Sequence, residues 1–125
     1  MINVEDLRMY CLSLGDGVEE KLPFAKFKGG DSVLVFYVCG HMFCYFDIDI
    51  FTVLSVKCQP ERIARLREEH ACVCNPVNQN PNHWLGLTVD SAPETLIREL
   101  IANSYEIVKA KYTKRSKSSK SSCQS

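Results

Sequence analysis

The chain has 125 residues with 15 basic and 15 acidic side chains, and 46% of its residues are hydrophobic. This is the composition of one globular domain, and a second domain would leave both halves short of core. No apolar run reaches the roughly 20 residues that span a bilayer. Residues 1–6 contain two acidic and no basic side chains, so they lack the basic start and the apolar run of a signal peptide. We therefore expect a cytoplasmic protein without membrane contact.

The neutral net charge hides a division along the chain. Residues 1–108 hold nine basic and fifteen acidic side chains, a net charge of −6, whereas residues 109–125 hold six basic and no acidic ones. Residues 113–125 are rich in serine and lysine without apolar periodicity, which predicts a disordered basic tail after a single domain over 1–112. Such a tail can bind nucleic acid, acidic protein or anionic lipid, or can simply keep the chain in solution.

The first predicted element is a short helix. Asn3 is a favourable N-cap residue, and acidic side chains follow in the first turn, where the helix dipole favours them. Val4, Leu7 and Cys11 recur at three- and four-residue spacing and form one apolar stripe. Gly15 then ends the helix.

A β-hairpin is the strongest local signal. The β-rich runs 33–39 and 42–49 are separated by Gly40-His41, which suits a two-residue turn because glycine tolerates a positive φ. In that register one face would carry Val33, Val35, Tyr37, Cys39, Met42, Cys44, Phe46 and Ile48. A third run over 51–57 continues the meander.

A second helix and a fourth strand follow. Pro60 suits the first turn of a helix that runs to His70, with Ile63 and Leu66 facing inward. Residues 83–90 favour a strand because they are apolar and rich in β-forming residues.

Two segments are predicted to form neither a helix nor a hydrogen-bonded strand of the sheet. Residues 18–28 are expected to be extended or irregular, because Pro23 breaks a helix and cannot donate to a sheet. Residues 71–82 form a loop of asparagine and proline that is longer than most connections.

The last predicted element is a long helix. Ser91 and Glu94 have the spacing of a capping box, and Pro93 suits the first helical turn. Its inward face would carry Leu96, Leu100 or Ile101, Tyr105, and Ile107 or Val108. The helix is expected to end at about Tyr112.

Together these elements predict an α+β fold of order α-β-β-β-α-β-α, with an antiparallel sheet of four to five strands and helices on one face. Both faces of the hairpin are apolar, so the face without helices is expected to be partly covered or adhesive. One hypothesis is therefore a protein-interaction adaptor that uses the sheet face around Tyr37, Cys44 and Phe46.

The cysteines are of a residue type that can bind metals or act as nucleophiles. Seven cysteines, an odd number, without an export signal indicate reduced thiols rather than a disulfide framework. His70, Cys72, Cys74 and His83 are of the types that bind zinc, but the spacing of one residue between ligands does not suit a tetrahedral site. The same residues offer a thiol near a base without any nucleophile signature. We expect no metal, no cofactor, no catalytic residue and no enzyme activity.

Basic and aromatic residues supply a candidate nucleic-acid site. Lys57, Arg62 and Arg65 cluster around the start of the second helix, where phosphate contacts and an ordinary salt-bridged surface are both open interpretations. Trp84 beside His83 could stack on a base or could anchor the core.

Five short motifs follow one another along the chain. They are Gly17-Val18-Glu19-Glu20 with Pro23-Phe24, the hairpin over 33–49, Lys57-Cys58-Gln59-Pro60-Glu61, Asn80-Pro81-Asn82-His83-Trp84, and Ala102-Asn103-Ser104-Tyr105-Glu106. Their order and spacing resemble the MmcQ/YjbR family of small bacterial proteins, over about residues 3–112.

The resemblance implies a compact CyaY-like fold with a double-wing arrangement, and DNA as the ligand. Carried over to this chain, it indicates a surface site of Lys57, Asn80, His83 and Trp84, residues that could equally fix their loop against the sheet. With the basic residues considered above, the complete candidate nucleic-acid site is Lys57, Arg62, Arg65, Asn80, His83, Trp84, Lys114 and Arg115. The expected partner is DNA, and another protein is the alternative.

Overall fold

The computed structural model describes residues 3–22, 32–49, 51–76 and 79–116, with side chains to residue 112. The elements are helix α1 (Val4–Ser13), strands β1 (Glu19–Lys21), β2 (Val33–Val38), β3 (His41–Asp47) and β4 (Val53–Lys57), helix α2 (Pro60–Glu69), strands β5 (Val73–Cys74) and β6 (Trp84–Thr88), and helix α3 (Glu94–Ser116). Most of the segment predicted to be irregular and the last nine residues of the predicted tail lie outside the described residues.

The predicted fold class is confirmed. The strands form one sheet in the order β1-β2-β3-β4-β6-β5, and every neighbouring pair is antiparallel. All three helices share one buried apolar cluster with this sheet. The sheet has six strands because the short edge strands β1 and β5 form within the two segments predicted without ladders.

Helix α1 forms as predicted. The Asn3 side chain accepts a hydrogen bond from the Asp6 backbone N–H at 2.7 Å, which satisfies one of the donors that a helix start leaves unpaired. Leu7 and Cys11 are fully buried against the sheet. In α2, Ile63 and Leu66 are likewise buried, as their spacing predicts.

The hairpin turn lies one residue earlier than predicted. Cys39 and Gly40 occupy it with φ values of 56° and 79°, the conformation of a two-residue type I′ turn. The predicted face is confirmed for Val33, Val35, Tyr37 and Met42. It is wrong for Cys44 and Phe46, because a slip of one residue moves a side chain to the opposite face. Cys44 pairs with Phe36, and both belong to the core under the helices.

The opposite face of the sheet carries its own apolar cluster, which we call the outer face. Its buried members are Val35, Tyr45 and Trp84, with Val33, Tyr37 and Met42 packed around them. Tyr37 pairs with Met42 close to the turn, and a β-bulge between Phe36 and Tyr37 then gives Phe36 the partner Cys44 instead of Phe43.

Helix α3 begins and ends differently from the prediction. The bond from Ile97 N–H to the Pro93 carbonyl places its start after Pro93. The predicted capping box is wrong, because the Ser91 hydroxyl donates to the Thr88 carbonyl instead. At its other end the helix continues to Ser116, beyond the predicted end.

The inward face of α3 follows the predicted spacing, and its fully or nearly fully buried residues are Ile97, Leu100, Ile101, Ser104, Tyr105 and Val108. Ser104 is the polar exception. Its hydroxyl donates to the Phe43 carbonyl at 2.5 Å and accepts from the Lys57 N–H at 3.0 Å. Ser104 thus satisfies two backbone groups just beyond the Cys44–Val56 pair, where the β3–β4 ladder stops.

Replacing Ser104 with alanine should lower the free energy of unfolding by about 2–3 kcal/mol, because two buried backbone groups lose their partner. Urea unfolding of the variant measures this change. Ser91→Ala is the matched control, since that exposed hydroxyl makes only a 3.5 Å contact. Equal, small effects of both substitutions would contradict the assigned role of Ser104.

Gly86→Ala should destabilise the protein by about 1–3 kcal/mol, because overpacking forces the neighbouring backbone to move. A Cβ at Gly86 would lie 2.6 Å from the Asn75 carbonyl oxygen and 3.0 Å from Cys74 Sγ. Gly17→Ala is the control, since a Cβ there meets nothing within 4 Å. Thermal unfolding compares the two, and a Gly86→Ala protein as stable as the control would refute the close packing of β5 on β6.

Candidate functional site

Four of the predicted site residues meet at one end of β4 and β6. Lys57 pairs with Trp84 in the antiparallel ladder, and the Cys58 N–H extends that ladder to the His83 carbonyl at 2.9 Å. The Asn80 carbonyl accepts from the backbone N–H groups of His83 and Trp84 at 3.1 and 3.0 Å. The loop before β6 is therefore held against the end of the sheet by backbone hydrogen bonds.

Trp84 packs in the sheet rather than projecting from it. Its side chain is 7% exposed, and its ring centroid lies 5.7 Å from that of Tyr45 on the outer face. Burial also raises the pKa of the Tyr45 hydroxyl, against the smaller lowering by its hydrogen bond with Ser55. Of the two interpretations of Trp84, this geometry favours the one in which the indole anchors the loop, while His83 stays exposed.

Two of the arginines of α2 already have side-chain partners. Arg62 forms an ion pair with Glu99 of α3 at 3.1 Å, so much of its charge is already neutralised. Arg67 donates to the side-chain oxygen of Asn75. Arg65 is exposed on α2, the helix that packs against β5 and β6.

Helix α3 carries four more basic residues beyond its core segment: Lys109, Lys111, Lys114 and Arg115. Lys114 and Arg115 belong to the segment predicted to be a disordered tail, whereas their backbone is helical. Tyr112 anchors this part of the helix, because its ring stacks on that of His41 with centroids 3.4 Å apart and planes 8° apart. The sequence signal for this continuation of α3 is weak: Tyr112 follows Tyr105 by seven residues, which places both rings on the same helix face.

The basic part of α3 and the Lys57–His83 region lie at the same end of the sheet. β3 begins at His41 and its neighbour β4 ends at Lys57, and antiparallel pairing brings those ends together. α3 crosses beneath this end at Ser104 and reaches His41 two turns later. We call Lys57, His83, Lys111, Lys114 and Arg115 the basic end.

The residues considered for zinc or a nucleophile are not gathered into one site. Within the described residues, no group of three or more His, Cys, Asp or Glu side chains could hold a metal ion. Cys72 is buried in the core, whereas Cys74 Sγ accepts a weak hydrogen bond from Thr88 Oγ1 at 3.9 Å. His70 lies 4.0 Å from the Glu69 carboxylate.

Two other thiols are held in their protonated form. Burial raises the pKa of Cys44 well above its usual value, and its neighbour Cys11 adds to the effect. Burial also raises the pKa of Cys58, opposed by the nearby positive charge of Arg62. Because the thiolate is the reactive species, Cys44 and Cys58 act as packing residues.

The burial of the sheet also limits the hypothesis of a protein-interaction adaptor. Of the three residues named for it, Cys44 and Phe46 lie under the helices, and only Tyr37 lies on the outer face.

Comparison with known proteins places the chain in a family. The model of the YjbR family matches residues 13–107. The chain belongs to the YjbR family. No curated protein matches this YjbR chain. Within the described residues, no helix is long and apolar enough to cross a membrane.

Two solved structures resemble this YjbR chain. One is the crystal structure of Deinococcus radiodurans protein DR2400, with a DUF419 domain, at 34% identity and a TM-score of 0.77; the match covers 89% of this chain and 81% of that one. The other is a Pseudomonas syringae protein at 19% identity and a TM-score of 0.70, with 86% and 99% of the two chains covered. The second comparison supports the fold alone.

Tyr112→Ala should loosen the end of α3. Loss of the stack on His41 removes about 1 kcal/mol, so backbone amides of residues 109–112 should exchange roughly three- to ten-fold faster. Hydrogen–deuterium exchange measures this change, and Glu106→Ala is the control because Glu106 is exposed on the same helix. Unchanged exchange in the Tyr112 variant would show that the stack does not hold the helix end.

Proposed function

We propose that this YjbR-family protein is a non-catalytic DNA-binding module of the cytoplasm, and that the basic end is its interface. The single observation that carries the proposal is the continuation of α3 to Ser116. It places Lys111, Lys114 and Arg115 on an anchored helix at the same end of the sheet as Lys57 and His83. Cations held on a helix lose less conformational entropy on binding phosphates than cations on a flexible tail.

The charge distribution supports binding at this end rather than over the whole surface. Residues 1–108 have a net charge of −6, which repels a phosphate backbone, and no acidic residue follows Glu106. Exposed Asn80 and His83 offer polar groups beside the cations, and such groups contact phosphates and base edges. Trp84 has a positioning role here, because it packs the loop against the outer face.

The absence of catalysis is part of the proposal. Burial keeps the Cys44 and Cys58 thiols protonated. The basic end combines ammonium, guanidinium and imidazole groups, which suit anion binding. The six cysteines of the described residues form no disulfide, which agrees with a reducing compartment.

DNA binding is tested by fluorescence anisotropy with a labelled duplex of about 20 base pairs and with a matching single strand. Because four cations of the basic end can neutralise phosphates, the logarithm of the duplex affinity should fall with the logarithm of salt concentration at a slope of roughly −3 to −4. Lys114→Glu with Arg115→Glu should weaken binding more than about ten-fold and reduce that slope by about 2.

Arg65→Glu with Arg67→Glu is the matched control, because it changes the net charge equally but on α2. We expect this variant to weaken DNA binding less than about three-fold, because it changes only the long-range electrostatic field of the protein. An equal loss in both variants would move the interface away from the basic end. Failure of the unmodified protein to bind duplex or single strand at low salt would refute the function.

A further inference from the structure

A cleft of about 530 Å³ opens beside the basic end, between the end of α1, the tip of the β2–β3 hairpin and α3. Small-molecule sites commonly have volumes of about 300–1,000 Å³. Its apolar lining comes from Val38 and Tyr105, which are buried, and from Leu14, which is half-buried. A Cβ at Gly15 would lie 2.1 Å from the Tyr105 hydroxyl, so that hydroxyl lies directly against the glycine backbone.

Charges of opposite sign line this cleft from different elements. Asp16 lies in the turn after α1, Glu19 begins β1, and Lys109 belongs to α3. Glu19 forms a 3.4 Å ion pair with Lys21, while Asp16 pairs with no cation within the described residues. The Lys109 ammonium lies 5.5 Å from the centre of the Tyr105 ring, which holds it at the cleft.

We propose that this cleft binds a small zwitterion, an α-amino acid with an apolar side chain. The ammonium group of the ligand pairs with Asp16 and its carboxylate pairs with Lys109, so each end meets its opposite charge. The apolar side chain lies against the half-buried Leu14, over a floor formed by the buried Val38 and Tyr105. This site is independent of DNA binding, because Asp16 and Lys109 are not members of the basic end.

Isothermal titration calorimetry of the full chain tests the proposal with L-leucine and L-phenylalanine as probes. N-acetyl-L-leucine lacks the ammonium group and L-leucinamide lacks the carboxylate, so each should bind at least about ten-fold more weakly than L-leucine, a loss typical of one removed charge-assisted contact. Lys109→Met and Asp16→Asn should each weaken L-leucine binding to a similar extent.

Arg65→Met is the control, because it also removes an exposed positive charge but lies on α2, outside both the cleft and the basic end. The affinity of this variant for L-leucine should stay within about two-fold of the unmodified protein. Circular dichroism establishes that the variants are folded. Absence of saturable binding of both amino acids up to about 10 mM would overturn the proposal. Unchanged L-leucine binding in Lys109→Met, or equal binding of L-leucinamide, would also overturn it.

Discussion

The buried hydroxyl of Ser104 connects the long helix α3 to the sheet, and the arrangement of the rest of the molecule depends on this connection. It bonds one backbone group of β3 and one of β4, at the point where those strands part. A single residue held by two fixed partners sets both the position of α3 along the sheet and its rotation. Serine is not a strong helix former, so its place here follows from these tertiary bonds.

Further contacts hold α3 against the sheet on both sides of Ser104. Asn103 exchanges hydrogen bonds with the Gln59 side chain at the junction of β4 and α2. Tyr105 lies edge-on to Phe43, with ring centroids 5.5 Å apart. Tyr112 then stacks on His41 at the start of β3. These contacts hold α3 on the sheet as far as Tyr112, and the helical backbone continues from there to Ser116.

The two faces of the sheet have different roles because of this arrangement. The helices cover the inner face and form the main core. On the outer face, Trp84 and Tyr45 pack over Val35, and Gly86 leaves room for the segment that follows β5. The tryptophan that resembles a stacking residue in the sequence therefore fixes the loop that carries Asn80 and His83. In the proposed DNA-binding role, recognition therefore belongs to the polar and charged groups around it.

Local chemistry explains which parts of the fold could be predicted. The cap at Asn3 and the stripe of Leu7 and Cys11 contain the whole signal for α1, so that helix was predictable. The hairpin register was not, because it depends on Cys39 adopting a positive φ, which only a few per cent of non-glycine residues do. The strand β5 has two residues and depends on its pairing with β6, which no local pattern announces.

The candidate site was predictable only as a set of residues. The motif around Asn80 and His83 indicated a loop beside Lys57, and the structure brings these residues together. The neutralisation of Arg62 by Glu99 and the anchoring of Tyr112 by His41 join residues 37 and 71 positions apart. Contacts of that range are set by the fold, so the sequence alone could not separate the basic end from the α2 arginines.

The most direct test of the account is a titration of the isotope-labelled protein with duplex DNA at low salt, followed by backbone amide chemical shifts. We expect helical shifts from Tyr105 to Ser116 in the free protein. On addition of DNA, the largest changes should fall on residues 111–116, Lys57 and His83, with α2 unaffected. Random-coil shifts after Val108, or DNA-induced changes centred on α2, would contradict it.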